Sequence, residues 1–183
     1  MERVNPLANK LKVILAGMVF NLYWLLAVWG QYRFVYILFF ILLVTWFLEV
    51  KAWRFSLLAA LPGIVIDSLL KQWNIFEFGV PNRAPLFIDF TTIGLIPTWL
   101  MMLWLGFTSF VWSIRDTITS ISTKWLLVAG SIGGALSYWS GMKLEAVFFT
   151  LPVFDTSLIL MLIWLALTRY MLWLLSIFNK RAN

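Results

Sequence analysis

Six long apolar stretches fill this chain, and only two charges lie deep inside them, Asp67 and Arg169. A bilayer core needs roughly 20 apolar residues per crossing helix. The stretches therefore predict an all-α membrane protein, a bundle of six transmembrane helices at about 11–29, 34–50, 55–73, 93–113, 125–142 and 157–178. No insertion between them is long enough to fold alone, so residues 1–183 read as a single domain. Composition agrees, because 62% of the residues are hydrophobic, more than a soluble domain of this length can hide. Arg3, Lys10 and Lys12 precede the first stretch as in a secretory leader. Ala27-Val28-Trp29 lacks a small-x-small cleavage pattern, however, so the stretch reads as an uncleaved span.

The basic residues divide unevenly between the two ends of the spans. Arg3, Lys10, Lys12, Lys51, Arg54, Arg115, Lys124, Lys180 and Arg181 fall at one end, and Arg33, Lys71, Arg83 and Lys143 at the other. Nine against four predicts that both termini are cytoplasmic. The net charge of +6 belongs to these helix ends, where it meets lipid headgroups, so no nucleic-acid partner is expected. The absence of Cys and His removes disulfides, thiolate chemistry, Cys/His zinc sites and a histidine base. No phosphate loop, dinucleotide fingerprint or serine nucleophile elbow is present. No catalytic residue, cofactor or metal site is expected.

Near mid-membrane the chain still offers polar groups. At 1.5 Å per residue, Asn21, Asp67, Ser137, Tyr138 and Arg169 lie about 14–20 Å from the cytoplasmic ends of their spans. They are the candidates for a polar pocket, with Asp67 as its acid and Arg169 as its counter-charge, because buried charge at that depth is rarely left facing lipid. The structural alternatives are an Asp67–Lys71 pair four residues apart on one helix, a snorkelling Arg169, or an Asp67–Arg169 fastener between helices. Gly130, Gly133, Gly134 and Gly141, with Ser137, give the fifth span a small-residue face for close packing within the bundle or for homodimerisation. Pro62-Gly63 and Pro97 predict bends in the third and fourth spans.

Trp24, Trp99, Trp104 and Trp164 fall inside spans. They read as packing residues or as the lining of an aromatic cavity for a flat or apolar ligand. The outer loops at 74–92 and 143–156 are unusually apolar, which places them in the headgroup region or over the bundle's outer mouth as a lid. Their charged residues, Glu77, Arg83, Asp89, Glu145 and Asp155, read as solvated.

Four segments carry a family resemblance. They are Asn21 with Trp24, the run Leu61-Pro-Gly-Ile-Val-Ile-Asp67-Ser-Leu-Leu, the pattern Pro97-x-Trp99-x4-Trp104-x2-Phe107, and Gly133-Gly-Ala-Leu-Ser-Tyr138-Trp-Ser-Gly141. Together they resemble the small bacterial inner-membrane proteins grouped as domain of unknown function 2878. The resemblance implies a multi-pass protein of the bacterial inner membrane and a lipid-related accessory role. It brings no activity with it.

Three functions remain in view. The first is a non-catalytic accessory or binding protein whose partners are membrane lipid and a membrane or peripheral protein. The second is a small-molecule-binding subunit of a transporter, although the first span lacks the Ala-x-x-x-Ala pattern that such subunits dock with. The third is an intramembrane lipid-modifying enzyme using Asp67, but a lone carboxylate supports little chemistry.

Overall fold

The structure is a computed structural model that describes residues 6–79 and 90–180. Seven α-helices account for most of them: α1 (Pro6–Gly30), α2 (Val35–Leu48), α3 (Ala52–Gln72), α4 (Thr98–Ser113), a short α5 (Arg115–Ser120), α6 (Thr123–Lys143) and α7 (Val153–Lys180). Among the described residues, three helical stretches are long and apolar enough to cross a membrane: Lys10–Leu48, Ala52–Gln72 and Val153–Lys180. The first of these is two antiparallel arms. A tight turn at Gln31, with φ +47°, reverses the chain, and Lys12 near the start of α1 meets Glu49 at the end of α2 at 3.7 Å.

Glu49 also receives Arg115 at 3.0 Å, which brings the end of α4 to the same place. At the opposite end of the bundle the two apolar loops pair as a small antiparallel ribbon. Strands β1 (Phe76–Phe78) and β2 (Val147–Phe149) match Phe76 with Phe149 and Phe78 with Val147. These contacts define an up-and-down bundle. Within it α4 is the hub, packed by α1, α2 and α3, while α6 packs on α7 and α7 on α3.

The core is mostly apolar but holds a set of buried polar side chains, and the outside is apolar as well. Ser56, Asp67, Ser68, Thr98, Thr108, Ser109, Ser131 and Thr156 are buried, whereas α1 exposes Leu11, Ile14, Leu15, Met18, Leu22 and Leu25 along one helical stripe. The buried hydroxyls tie helices together. Ser109 donates to Ser56 at 3.0 Å and accepts from Trp46 Nε1 at 3.0 Å, joining α2, α3 and α4. Ser131 on α6 donates to the Met161 carbonyl of α7 at 2.8 Å. Hydrogen bonds of this kind hold helices together where no hydrophobic difference separates lipid from protein.

The prolines act through their missing N–H groups. Helix α3 runs unbroken through Pro62, which leaves the Leu58 carbonyl without its usual partner four residues on. The Tyr170 hydroxyl of α7 donates to that carbonyl at 3.1 Å, so a lost helix bond becomes a bond between helices. Pro97 sets the start of α4 at Thr98, because the residue before a proline avoids the helical region. The chain just before it is held by Lys71, whose Nζ donates to the Leu95 carbonyl at 2.8 Å and to the Thr91 carbonyl at 3.3 Å.

Candidate functional site

Asp67 is the polar centre of the bundle and is only 2% exposed. Its Oδ2 accepts a hydrogen bond from Trp104 Nε1 at 2.7 Å and another from the Tyr138 hydroxyl. The sequence around Asp67 explains this geometry. Gly63 lies one helical turn before it on the same face of α3, and a Cβ there would collide with the six-membered ring of Trp104. The missing side chain lets the indole lie flat on α3 with its N–H reaching the carboxyl. Trp104 then stacks on Trp164 of α7, with centroids 5.1 Å apart and planes at 13°. Phe107 meets Trp164 edge-on at 5.4 Å. One carboxyl oxygen thereby organises α3, α4, α6 and α7.

In front of this cluster lies a cavity of about 300 Å³. That is at the small end of ligand pockets and leaves space for about ten water-sized groups. All four tryptophans singled out in the sequence line it, with Phe20, Phe78, Phe107 and Tyr138. Glycines 130, 133, 134 and 141 form the α6 wall together with Ala129 and Ser137. The cavity exists because α6 packs closely on α7 but makes no extensive backbone contact with α1. A hydrogen bond from Trp24 Nε1 to Ser137 Oγ, 2.9 Å long, braces that seam. Ala129 and Gly133 line the cavity and are themselves exposed, so the cavity is open along the α1–α6 seam. One end is closed by the ribbon, through Phe78, Ala146 and Val147. Phe76 packs against Tyr138 at 5.6 Å and Phe78 meets Trp99 edge-on at 6.0 Å.

The small-residue face of α6 divides its work. A Cβ at Gly130 would meet Thr168, and one at Gly134 would run into the Trp164 indole, so these two glycines let α6 and α7 approach closely. At Gly141 a Cβ would stand 3.3 Å from Val147 of the ribbon. Gly133 differs, since a Cβ there meets nothing within 4 Å. It is a gap in the wall.

Two of the five polar candidates leave the site, and one moves behind it. Asn21 faces outward, is exposed, and donates to the Gly17 carbonyl of its own helix at 3.0 Å. Arg169 is exposed on α7 and forms no ion pair with Asp67, so the expected counter-charge and the expected fastener are both absent. The Asp67–Lys71 pair is absent too, because Lys71 is taken by the Thr91 and Leu95 carbonyls. The reason is chemical: neutral indole and phenol donors satisfy Asp67 without a buried cation. Asp67 itself is not part of the cavity wall, which carries its donors Trp104 and Tyr138 instead. Ser137 and Tyr138 do line the cavity. Phe20 and Phe107 line the cavity and Gly63 makes room for Trp104; Phe107 could be found from its spacing with Trp104, whereas nothing local marks Phe20.

The wall carries no charged side chain, and its polar groups are mostly engaged. Trp99 is only 2% exposed, and its Nε1, enclosed away from the cavity, has no hydrogen-bond partner among the described residues. Leaving such a donor unmet costs about 1–3 kcal/mol. Among the described residues no cluster of acidic side chains could hold a metal ion. Glu77, Glu145 and Asp155 are exposed, while Arg83 and Asp89 lie outside the described residues. Residues 13–170 match the family described as Protein of unknown function (DUF2878), and the chain belongs to that family. No curated protein and no solved structure matches it.

Proposed function

We propose that this family member is a six-span protein of the bacterial inner membrane that binds an uncharged, lipid-derived ligand in the aromatic cavity between α1, α4, α6 and α7. The observation that carries the reading is the cavity itself: eight aromatic side chains around about 300 Å³, open along the α1–α6 seam and free of charge on its walls. A ligand dissolved in the bilayer reaches such an opening without crossing water. The Asp67–Trp104–Tyr138 cluster keeps the rings in place before the ligand arrives, which lowers the ordering cost of binding.

Support for six spans comes from the large apolar side chains that the helices expose and from the antiparallel arms. Helices α2 and α4 are 14 and 16 residues long, roughly 21 and 24 Å, so the ends of these two crossings rely on the flanking turns or on local thinning of the bilayer. Lys10, Lys12, Lys51, Arg54, Arg115, Lys124 and Lys180 gather at the end held by Glu49, which supports a cytoplasmic placement of that end and of both termini. A non-catalytic role is supported by the position of Asp67, behind the wall with Oδ2 already accepting two hydrogen bonds. A membrane or peripheral protein partner would then receive the ligand or be positioned by it.

Photolabelling tests the cavity. A small apolar aryl diazirine in phosphatidylcholine nanodiscs is expected to label the 129–141 segment from inside the cavity. Gly133→Leu places a side chain in the open gap and is expected to reduce that labelling at least tenfold while leaving the fold intact. Equal labelling of the two proteins would sink the reading.

A further inference from the structure

Arg169 is a cation that the Asp67 cluster does not use. It is exposed on α7 and forms no ion pair among the described residues. Leu162, Leu165 and Trp173 are exposed too, and spacings of seven, four and four residues put them on the same side of the helix. The other sides of α7 are occupied. Gly130 and Gly134 of α6 lie against Thr168 and Trp164, and Tyr170 reaches the Leu58 carbonyl of α3.

The register of α6 on α7 fixes the depth of Arg169. Gly130 matches Thr168 and Gly134 matches Trp164, so the two helices run antiparallel, residue for residue. Lys124, the second residue of α6, then stands level with Leu174, and Arg169 lies about 8 Å further in. Trp125 and Trp173 are both exposed near that level, as indoles at a headgroup boundary are. Arg54 belongs to the first turn of α3 at the same end, where Phe55 meets Phe178 of α7 at 5.7 Å. The positive charge here is not balanced by the helices that carry it. The first turns of α3 and α6 hold no acid, and α7 holds none after Asp155. Glu49, an acid of this end, is taken by Lys12 and Arg115.

From this unbalanced charge we infer that the outer face of α7 binds an anionic phospholipid, whose phosphate takes the Arg169 guanidinium while an acyl chain follows Leu165 and Leu162. A guanidinium fork matches phosphate oxygens two at a time, and a cation within reach of the headgroups finds them by snorkelling. A second copy of the chain fits this face poorly. A two-fold contact centred here would set Arg169 against Arg169, with no acid on the face to part them. The inference rests on α7 crossing the membrane, as in the six-span reading. It is separate from the cavity, which takes an uncharged ligand on another side of α7.

Lipid titration in a non-ionic detergent, read by native mass spectrometry, tests the site. Phosphatidylglycerol and phosphatidylcholine of identical chains differ in net charge alone at the headgroup. The wild type is expected to take up its first phosphatidylglycerol at about a tenfold lower concentration than its first phosphatidylcholine. Arg169→Gln should bring the two lipids within about twofold, with thermal unfolding unchanged because the side chain has no ion pair to lose. Lys10→Gln removes the same charge from an exposed position on α1 and should keep the tenfold preference. A wild type without the preference, or equal losses in the two variants, overturns the inference. So does an Arg169→Gln protein that keeps the preference and sheds a co-purifying membrane protein instead. The chain has no cysteine, so Asp155→Cys and Lys180→Cys test the crossing of α7 separately. In sealed spheroplasts a membrane-impermeant maleimide is expected to label only Asp155→Cys. Labelling of both overturns the six-span reading, whatever the lipid titration shows.

Discussion

Gly134→Leu is expected to destabilise the protein by about 3 kcal/mol or more, while Gly133→Leu next to it changes stability by less than about 0.5 kcal/mol. The two glycines are adjacent in sequence and look alike there. A side chain at 134 would overlap the Trp164 indole, and Trp164 carries the stack on Trp104 that completes the Asp67 cluster. Moving that ring separates α6 from α7 and disturbs α4 as well. A side chain at 133 enters open space. Thermal unfolding of the two variants in the same detergent checks the contrast. Similar losses for both would mean that the gap at Gly133 is closed in the protein.

Asp67→Ala is the second large effect, a loss of about 4 kcal/mol. It removes the acceptor for two buried donors, Trp104 Nε1 and the Tyr138 hydroxyl, and each orphaned donor costs roughly 1–3 kcal/mol. Asp67→Asn is milder, at about 1 kcal/mol, because the amide oxygen can replace Oδ2 as acceptor for both donors. Arg169→Gln should add to either substitution independently, within about 0.5 kcal/mol, since Arg169 makes no ion pair with Asp67. A double-mutant cycle in mixed micelles measures the coupling. A coupling above about 1 kcal/mol would restore the Asp67–Arg169 pair that the geometry lacks.

The contrast between Asp67 and its expected partners shows what hydropathy can and cannot reach. A charge deep in an apolar stretch is conspicuous, so Asp67 stood out from the sequence. Tyr138 was in the same candidate pocket and Trp104 among the tryptophans inside spans, but their bonds to Asp67 were not legible, because charge counting looks for a cation and directs attention to Lys71 and Arg169. The groups that satisfy it are an indole and a phenol on two other helices, and nothing local to either shows which carboxyl it bonds. Depth was a second partial guide. Asn21 and Ser137 lie at similar depths, yet depth leaves the rotation of each helix free. Ser137 faces the cavity while Asn21 bonds its own helix on the outer surface.

The aromatic residues were legible as a group and not as a site. Trp24, Trp99, Trp104 and Trp164 sit inside spans, which suited a packed core and a cavity equally well. The choice between them depends on α6 joining α7 rather than α1, a tertiary fact with no local signature. The outer loops were recognisable by their apolar content as segments that would not extend into water. Their three-residue strands are too short to announce themselves, and their pairing brings together residues 76 and 149, far apart along the chain. The glycines of α6 were legible as a small-residue face, but only the neighbours of each position separate the packing glycines from the open one.

The most direct test of a lipid-binding aromatic cavity is native mass spectrometry of the tagged protein, gently extracted from its own host membrane. The wild type is expected to carry one defined neutral molecule that survives activation strong enough to strip loose lipids. Gly133→Leu, equally folded, should carry none. A wild-type bundle that retains only bulk phospholipid, or a Gly133→Leu protein that retains the same neutral molecule, would contradict the account.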